Sequence, residues 1–188
     1  TRFNADQLEC DLMELDAHVG ARTGDGGQDL TNHSWWQGQI VSRSGRHGYL
    51  SLSDIGYGDV RGFMGANCAH NWGMYWEGAS VRSYTPERLA AINAATVSYN
   101  GEEIPRYKAT QMQRAQERQI RADKRAFLVA KESGQKDTEK AAAAKLAASR
   151  AKLKDFLSQT GLQQYQLRES VPGFGRSEAA SAAAQARK

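Results

Sequence analysis

Four side chains in this sequence, His18, His33, Cys68 and His70, are suited to metal or nucleophilic chemistry, with Asp16 and Arg22 beside the first. Neutral imidazole and thiolate are good zinc ligands, and Asp16-x-His18 and Cys68-x-His70 could each chelate an ion from extended backbone. Their spacing matches no established ligand motif. The reading is therefore that these groups satisfy one another around a Gly-rich loop, with no metal and no cofactor expected. If an ion were held, His18, His33, Cys68 and His70 are where it would sit. A cysteine hydrolase would need Cys68 activated by a histidine, with amides such as those near Asn67 turned toward an oxyanion. His70 is too near in sequence for that aim to be assumed, and no catalytic residue is assigned. Gly24-Asp25-Gly26-Gly27 and Gly56-Tyr57-Gly58 match neither the phosphate-binding glycine spacing nor, at Asp25 and Asp29, a calcium loop.

A second group is electrostatic. Arg114, Arg118, Arg121, Lys124 and Arg125 crowd one predicted helix, and Lys140, Lys145, Arg150, Lys152 and Lys154 the next. They form a candidate contact surface for nucleic acid or an acidic partner, although Glu117, Asp123, Glu132 and Glu139 offset part of the charge through pairs at three- and four-residue spacing. No aromatic residues are interleaved to stack bases, so any DNA contact would be to phosphates and not sequence-specific.

The elements that must position these groups divide at Pro105. Residues 1–105 hold seven Arg, no Lys and 13 acids, a net charge of −6, whereas residues 106–188 hold 18 basic groups and eight acids, a net charge of +10. All four Trp, all four His, both Cys and 14 of the 18 Gly lie in the first part, while the second is rich in Ala, Lys, Arg and Gln. This division predicts a compact α+β head over 1–105, a basic helical hairpin over 106–160, and an extended or partly disordered tail over 161–188. Two cysteines are too few for a disulfide framework, and a single Cys10–Cys68 bond stays open. No apolar run approaches the roughly 20 residues of a membrane span, so no membrane partner is expected. Thr1 stands where an initiator Met would, which reads as a piece of a longer chain.

Within the head, Leu8, Leu12, Leu15 and Val19 recur at helical spacing and predict a short helix ending at Gly20. Thr23 to Thr31 reads as a flexible loop. Trp35 to Ser42 reads as a short strand, Tyr49 to Ile55 as another strand or an irregular edge, and Gly56 to Gly78 as tight turns around large rings. Thr85-Pro86-Glu87 opens a helix to about Ala95, and Asn100-Gly101 marks a hairpin between Val97–Tyr99 and Glu103–Tyr107. Two helices follow, Thr110 to Lys131 and Asp137 to Gln159, broken at Gly134 and stopped at Gly161. They form an antiparallel hairpin with arms of about 30 to 35 Å. The Ala-rich end from Glu178 shows no apolar face and is expected to fray.

Several of these segments together resemble a known family. In order they are Ala17-His18-Val19-Gly20-Ala21-Arg22, Trp36-Gln37-Gly38-Gln39-Ile40-Val41-Ser42, Gly56-Tyr57-Gly58, Gly65-Ala66-Asn67-Cys68-Ala69-His70, Tyr84-Thr85-Pro86-Glu87, Tyr99-Asn100-Gly101, the run Gln113 to Arg121, and Gly173-Phe174-Gly175-Arg176. The chain resembles phage minor capsid proteins related to the head-morphogenesis proteins beside the portal, over roughly residues 8 to 176. It departs from that pattern at Ala69, where the family usually has Arg, and in the length of the Thr23–Thr31 loop.

The resemblance implies a structural, non-enzymatic virion protein of a tailed phage, assembled in the host bacterial cytoplasm and placed at the portal vertex. It implies a role in head morphogenesis, DNA packaging or genome delivery. The implied partners are portal or major capsid proteins, in multiple copies of a symmetric assembly, with packaged duplex DNA touched non-specifically. A further helical region is implied before Thr1. His18, Gly20, Arg22, Trp36, Gln37, Gly38, Asn67, Cys68 and His70 become the packed centre of the head, and Arg114, Arg118, Arg121, Lys124, Arg125, Lys145, Arg150 and Lys152 the contact set. The rival readings are a metal- or Cys/His-dependent hydrolase or nuclease, and an independent DNA-binding accessory protein.

Overall fold

The computed structural model describes residues 2–187; Thr1 and Lys188 lie outside it. The fold is α+β and separates into two compact units, the first holding the chain up to Ala95 with Pro105–Tyr107, the second holding Thr96–Ile104 and the chain from Lys108 onward.

Unit 1 begins with helix α1 (Arg2–Gln7), strand β1 (Leu12–Leu15), the one-turn helix α2 (His33–Trp36) and strands β2 (Ile40–Ser42), β3 (Leu50–Ser51) and β4 (Trp72–Met74), followed by helix α3 (Pro86–Asn93). The sheet runs β3-β2-β1-β4, with β1 antiparallel to both neighbours and β2 parallel to β3. The helix expected over Leu8 to Val19 is a strand instead. Leu12, Met13 and Leu15 are all buried, as a central strand covered on both faces requires, while Leu8 and Val19 are exposed. Their helical spacing was coincidental; pairing with two distant strands decided the conformation. The strand expected over Trp35–Ser42 keeps its last three residues, because Trp36 sits in α2 with its ring buried and its Nε1 donating to Leu30 O at 3.2 Å. Tyr49–Ile55 contributes a two-residue strand, and the rest is turns.

The core gathers Met13, Leu15, Trp36, Val41, Ile55, Phe63 and Trp72. Phe63 packs edge-on to Trp36 with centroids 5.9 Å apart, and Tyr57 stacks on Trp72 at 5.4 Å. The loop that carries Phe63 can close only on glycine. A Cβ on Gly62 would lie 2.3 Å from Gly56 O, and one on Gly65 would lie 2.5 Å from Val60 O. The Thr23–Thr31 loop is closed by its own bonds: Gly26 N donates to Thr23 O at 2.9 Å, and Asp29 Oδ1 accepts from both Thr31 N and Thr31 Oγ1 at 2.6 Å. Both cysteines are free thiols. Helix α3 starts as expected, with Thr85 Oγ1 accepting from Arg88 N at 3.3 Å and Pro86 in the first turn.

Unit 2 contains the hairpin β5 (Thr96–Tyr99) and β6 (Glu102–Pro105) as far as Ile104, then helix α4 (Arg106–Glu132) from Lys108 onward, and helices α5 (Lys136–Thr160) and α6 (Arg176–Gln185). Asn100 and Gly101 both take positive φ, 52° and 80°, the geometry that a type I′ turn demands. The hairpin packs with the helices, since Val97 and Ile104 are buried against Ala109, Phe156 and Leu162, and Tyr99 meets Phe156 edge-on at 4.9 Å. α4 and α5 run antiparallel. Met112 lies near Phe156 and Leu157, Asp123 accepts from Ser149 Oγ at 2.6 Å, and Phe127 shares a cluster with Ala143 and Leu146.

The C-terminal segment is folded, unlike the tail expected there. α6 buries Ala182 against the α4–α5 cluster, and Phe174 reaches Phe127 at 6.1 Å. The Ala-rich sequence lacks a bulky apolar stripe, but small side chains let one helix approach another closely, so burial here comes from proximity and not from size. Gln113 Nε2 donates to Gln163 O at 2.8 Å and Lys124 Nζ to Glu169 O at 2.6 Å, tying the segment along α4.

Candidate functional site

Sheet register gathers the histidines. β1 and β4 pair Leu15 with Trp72, and the pairing continues one step past the strands as Asp16 N donates to Asn71 O at 2.9 Å. The chain leaving β1 and the chain entering β4 therefore run side by side, and His18 and His70 pack with ring centroids 4.2 Å apart and planes tilted by 34°. On the other flank Leu15 N donates to Gln39 O at 2.9 Å, which brings α2 and the residues after it to the same end of the sheet. His33 there lies 5.3 Å from the His70 centroid and 4.5 Å from that of Trp36. One candidate ligand atom from each of His33, Cys68 and His70 lies within 4.8 Å of the others.

Hydrogen bonds set the tautomers. Gln37 Oε1 accepts from the backbone N–H of His18 at 3.1 Å, which identifies that atom as the amide oxygen, so His70 Nε2, 3.0 Å away, must be the protonated nitrogen. Gln37 Nε2 donates to Asn93 Oδ1 at 2.6 Å, and Asn93 Nδ2 to Ser34 O at 3.2 Å. The His70 lone pair is then on Nδ1, which stands 3.5 Å from Cys68 Sγ. His33 Nε2 donates to Arg61 O at 2.8 Å, leaving its lone pair on Nδ1. His18 Nδ1 donates to Val19 O at 3.2 Å, and its Nε2 is buried without a hydrogen-bond partner.

The three clustered donors are held by other residues named in the sequence. Arg22 clamps the glycine loop by donating to Arg61 O at 2.8 Å and Ala66 O at 3.0 Å. Asn67 turns the chain into Cys68 with a φ of 60°, and Gly20 and Gly38 take φ of 79° and 69°. A Cβ on Gly38 would also meet Leu89 at 2.4 Å. Asp16 stays outside the cluster, its carboxylate accepting from Asn71 N at 2.8 Å. Asn93 and Arg61 were not singled out in the sequence. Both act through groups far along the chain, and no local motif marks them.

Burial keeps His33 and His70 neutral. Burial, helped by the neighbouring His18 and His33, pushes His70 down to about 3, and burial likewise lowers His33 against the opposing effect of its bond to Arg61 O. Such a His70 is a poor base for Cys68 at neutral pH. The Cys68 amide already donates to Gly65 O at 3.1 Å and is not free for an oxyanion.

In unit 2 the predicted basic set splits. Arg118, Arg125, Lys145 and Lys152 are exposed, and each pair is seven residues apart on its helix, hence on one face. Lys124 is only 8% exposed and is committed to Glu169 O. Arg121 donates to Arg168 O, and Arg150 lies over the Phe174 ring at 5.6 Å, so these too hold the C-terminal segment. Arg114 is half-buried.

Among the comparisons with known proteins, a family model described as phage minor capsid protein 2 matches residues 3–158. No curated protein and no solved structure matches the chain.

Proposed function

From its membership of the phage minor capsid protein 2 family, to which the chain belongs and which makes it a structural component of the phage virion, we propose that it docks at or near the portal vertex. Its role there is in head morphogenesis, packaging or genome delivery of a tailed phage, assembled in the host cytoplasm. The role is structural rather than enzymatic. The observation that carries the docking reading is the exposed cation set of unit 2, Arg118, Arg125, Lys145 and Lys152, on a part of the chain with net charge +10. A row of cations on long, rigid helices suits an acidic protein surface, and in a filled head it also faces phosphates.

The test is retention of the full chain on the portal protein of the same genome, at low and moderate salt. The parent is expected to be retained, in several copies per portal ring, and the variant carrying Arg118→Glu, Arg125→Glu, Lys145→Glu and Lys152→Glu to be lost. Equal retention of the two chains, or none of either, refutes docking through this face. A parallel titration with duplex DNA separates the phosphate reading: log affinity then falls linearly with log salt, with a slope set by the phosphates neutralised.

A further inference from the structure

The capsid role leaves unused the most unusual polar feature of unit 1. His33, Cys68 and His70 converge from a helical turn and a glycine loop, 35 residues or more apart in sequence. His33 and His70 are 2% and 5% exposed. We propose that these three side chains bind one transition-metal ion, zinc by the chemistry of the donors.

Three observations carry this. First, the donor set is two neutral imidazoles and a thiol without a carboxylate, which selects zinc over calcium or magnesium. Second, the Cys68 Sγ to His70 Nδ1 separation is 3.5 Å. A tetrahedral ion with zinc–nitrogen and zinc–sulfur bonds of ordinary length sets that edge at about 3.6 Å. Third, each imidazole has its Nε2 tied to an oxygen, His70 to Gln37 Oε1 and His33 to Arg61 O, which leaves the Nδ1 lone pair of each as the one able to ligate. This is the outer-sphere arrangement that fixes tautomer and ring orientation in zinc sites.

The remaining donor distances, within 4.8 Å, close by about 1 Å when an ion draws them in. Three protein donors leave one tetrahedral position for a solvent molecule. The unpartnered, buried Nε2 of His18, on the ring packed against His70, is an acceptor close by for such a molecule. The ion would fasten the Cys68–His70 segment to α2, a linkage otherwise made through Gln37.

The experiment uses the full chain, purified under reducing conditions without chelator and assayed for metal, then stripped and titrated with cobalt(II). One equivalent is expected, with a thiolate-to-cobalt charge-transfer band that zinc displaces. Cys68→Ser should abolish the band, and His33→Gln should weaken binding by about 10- to 100-fold or more, since removal of even an outer-sphere partner brings that loss. His47→Gln, exposed and outside the cluster, should bind as the parent does. No metal at equimolar ion, or a band that survives Cys68→Ser, overturns the proposal. Should Cys68→Ser fail to fold, native-state alkylation of the parent takes its place, because Cys68 is half-buried and Cys10 buried. A band lost on alkylation supports the site, and a band absent or resistant overturns it.

Discussion

Unit 1 joins residues far apart in sequence through side chains that reach backbone, as Arg22 does to Arg61 and Ala66 and His33 to Arg61. The helix pair of unit 2 instead repeats one local rule, burying Ile120 and Phe127 of α4 against Ala143, Leu146 and Leu153 of α5 at helical spacing, while the C-terminal segment is tied on by side chains reaching backbone. Irregular backbone in the first is tolerable because its polar groups find specific partners. Regular backbone in the second satisfies itself and needs only an apolar stripe. The first arrangement is therefore sensitive to single atoms and the second to side-chain volume.

All four Trp lie in unit 1 and the long helices in unit 2, so Trp fluorescence reports the first and far-ultraviolet circular dichroism mainly the second. The largest expected effect is that of Trp36→Ala, which removes a fully buried ring and should cost the fluorescence-monitored transition about 3–5 kcal/mol. A mutant that melts like its parent by fluorescence would remove Trp36 from the core.

Gly62→Ala comes next. Its Cβ would meet backbone and not a flexible side chain, and forcing the loop apart should cost about 1–3 kcal/mol, again in the fluorescence signal. Gly161→Ala is the matching change in unit 2. A Cβ there meets nothing within 4 Å, but φ is 65°, so a loss of about 1–2 kcal/mol read by circular dichroism would come from conformation alone. Equal costs at the two glycines after correction for φ would erase the distinction drawn between the units.

The smallest effect depends on pH. Glu117 is buried on α4, accepts from Gln113 Nε2 at 3.0 Å, and has Arg114 on its own helix and Arg168 and Glu169 of the C-terminal segment facing it. Burial raises its pKa despite the nearby arginines. A raised carboxyl pKa favours the folded state while the group is protonated and loses that advantage as pH rises from the unfolded value, about 4.3, through the folded one. Glu117→Gln keeps an acceptor for Gln113 and removes the titration. It should match the parent near pH 4 and be more stable than it at pH 7, by about 1.4 kcal/mol for each tenfold by which folding strengthens proton binding at Glu117. A parent that gains on the variant with rising pH would show Glu117 to be stabilised as an anion.

Helices α4 and α5, their stops at Gly134 and Gly161, the Thr85 cap and the Asn100-Gly101 turn were all legible in the sequence, because each depends on residues within a few positions of one another. The membership in a phage minor capsid family was legible too, through the joint order of short segments from Ala17 to Arg121, all within the matched residues 3–158. The conformation of Leu12–Leu15 was not legible, since a strand buried on both faces carries no alternation and its partners at Val41 and Met74 are invisible locally. Nor was the folded C-terminal segment, where Lys124 and Arg121, read as outward-facing cations, are taken up by carbonyls of residues 168 and 169.

The candidate site divides in the same way. Residue types alone marked His18, His33, Cys68 and His70 as the groups able to ligate, and the charge division at Pro105 marked the second half as the basic one. Only the tertiary structure decided that His33, Cys68 and His70 meet while Asp16 does not, and that Gln37 and Arg61 aim the imidazoles. The reason is geometric: chemistry belongs to the side chain, but convergence depends on the register of β1 against β2 and β4, which is set by contacts across the whole of unit 1.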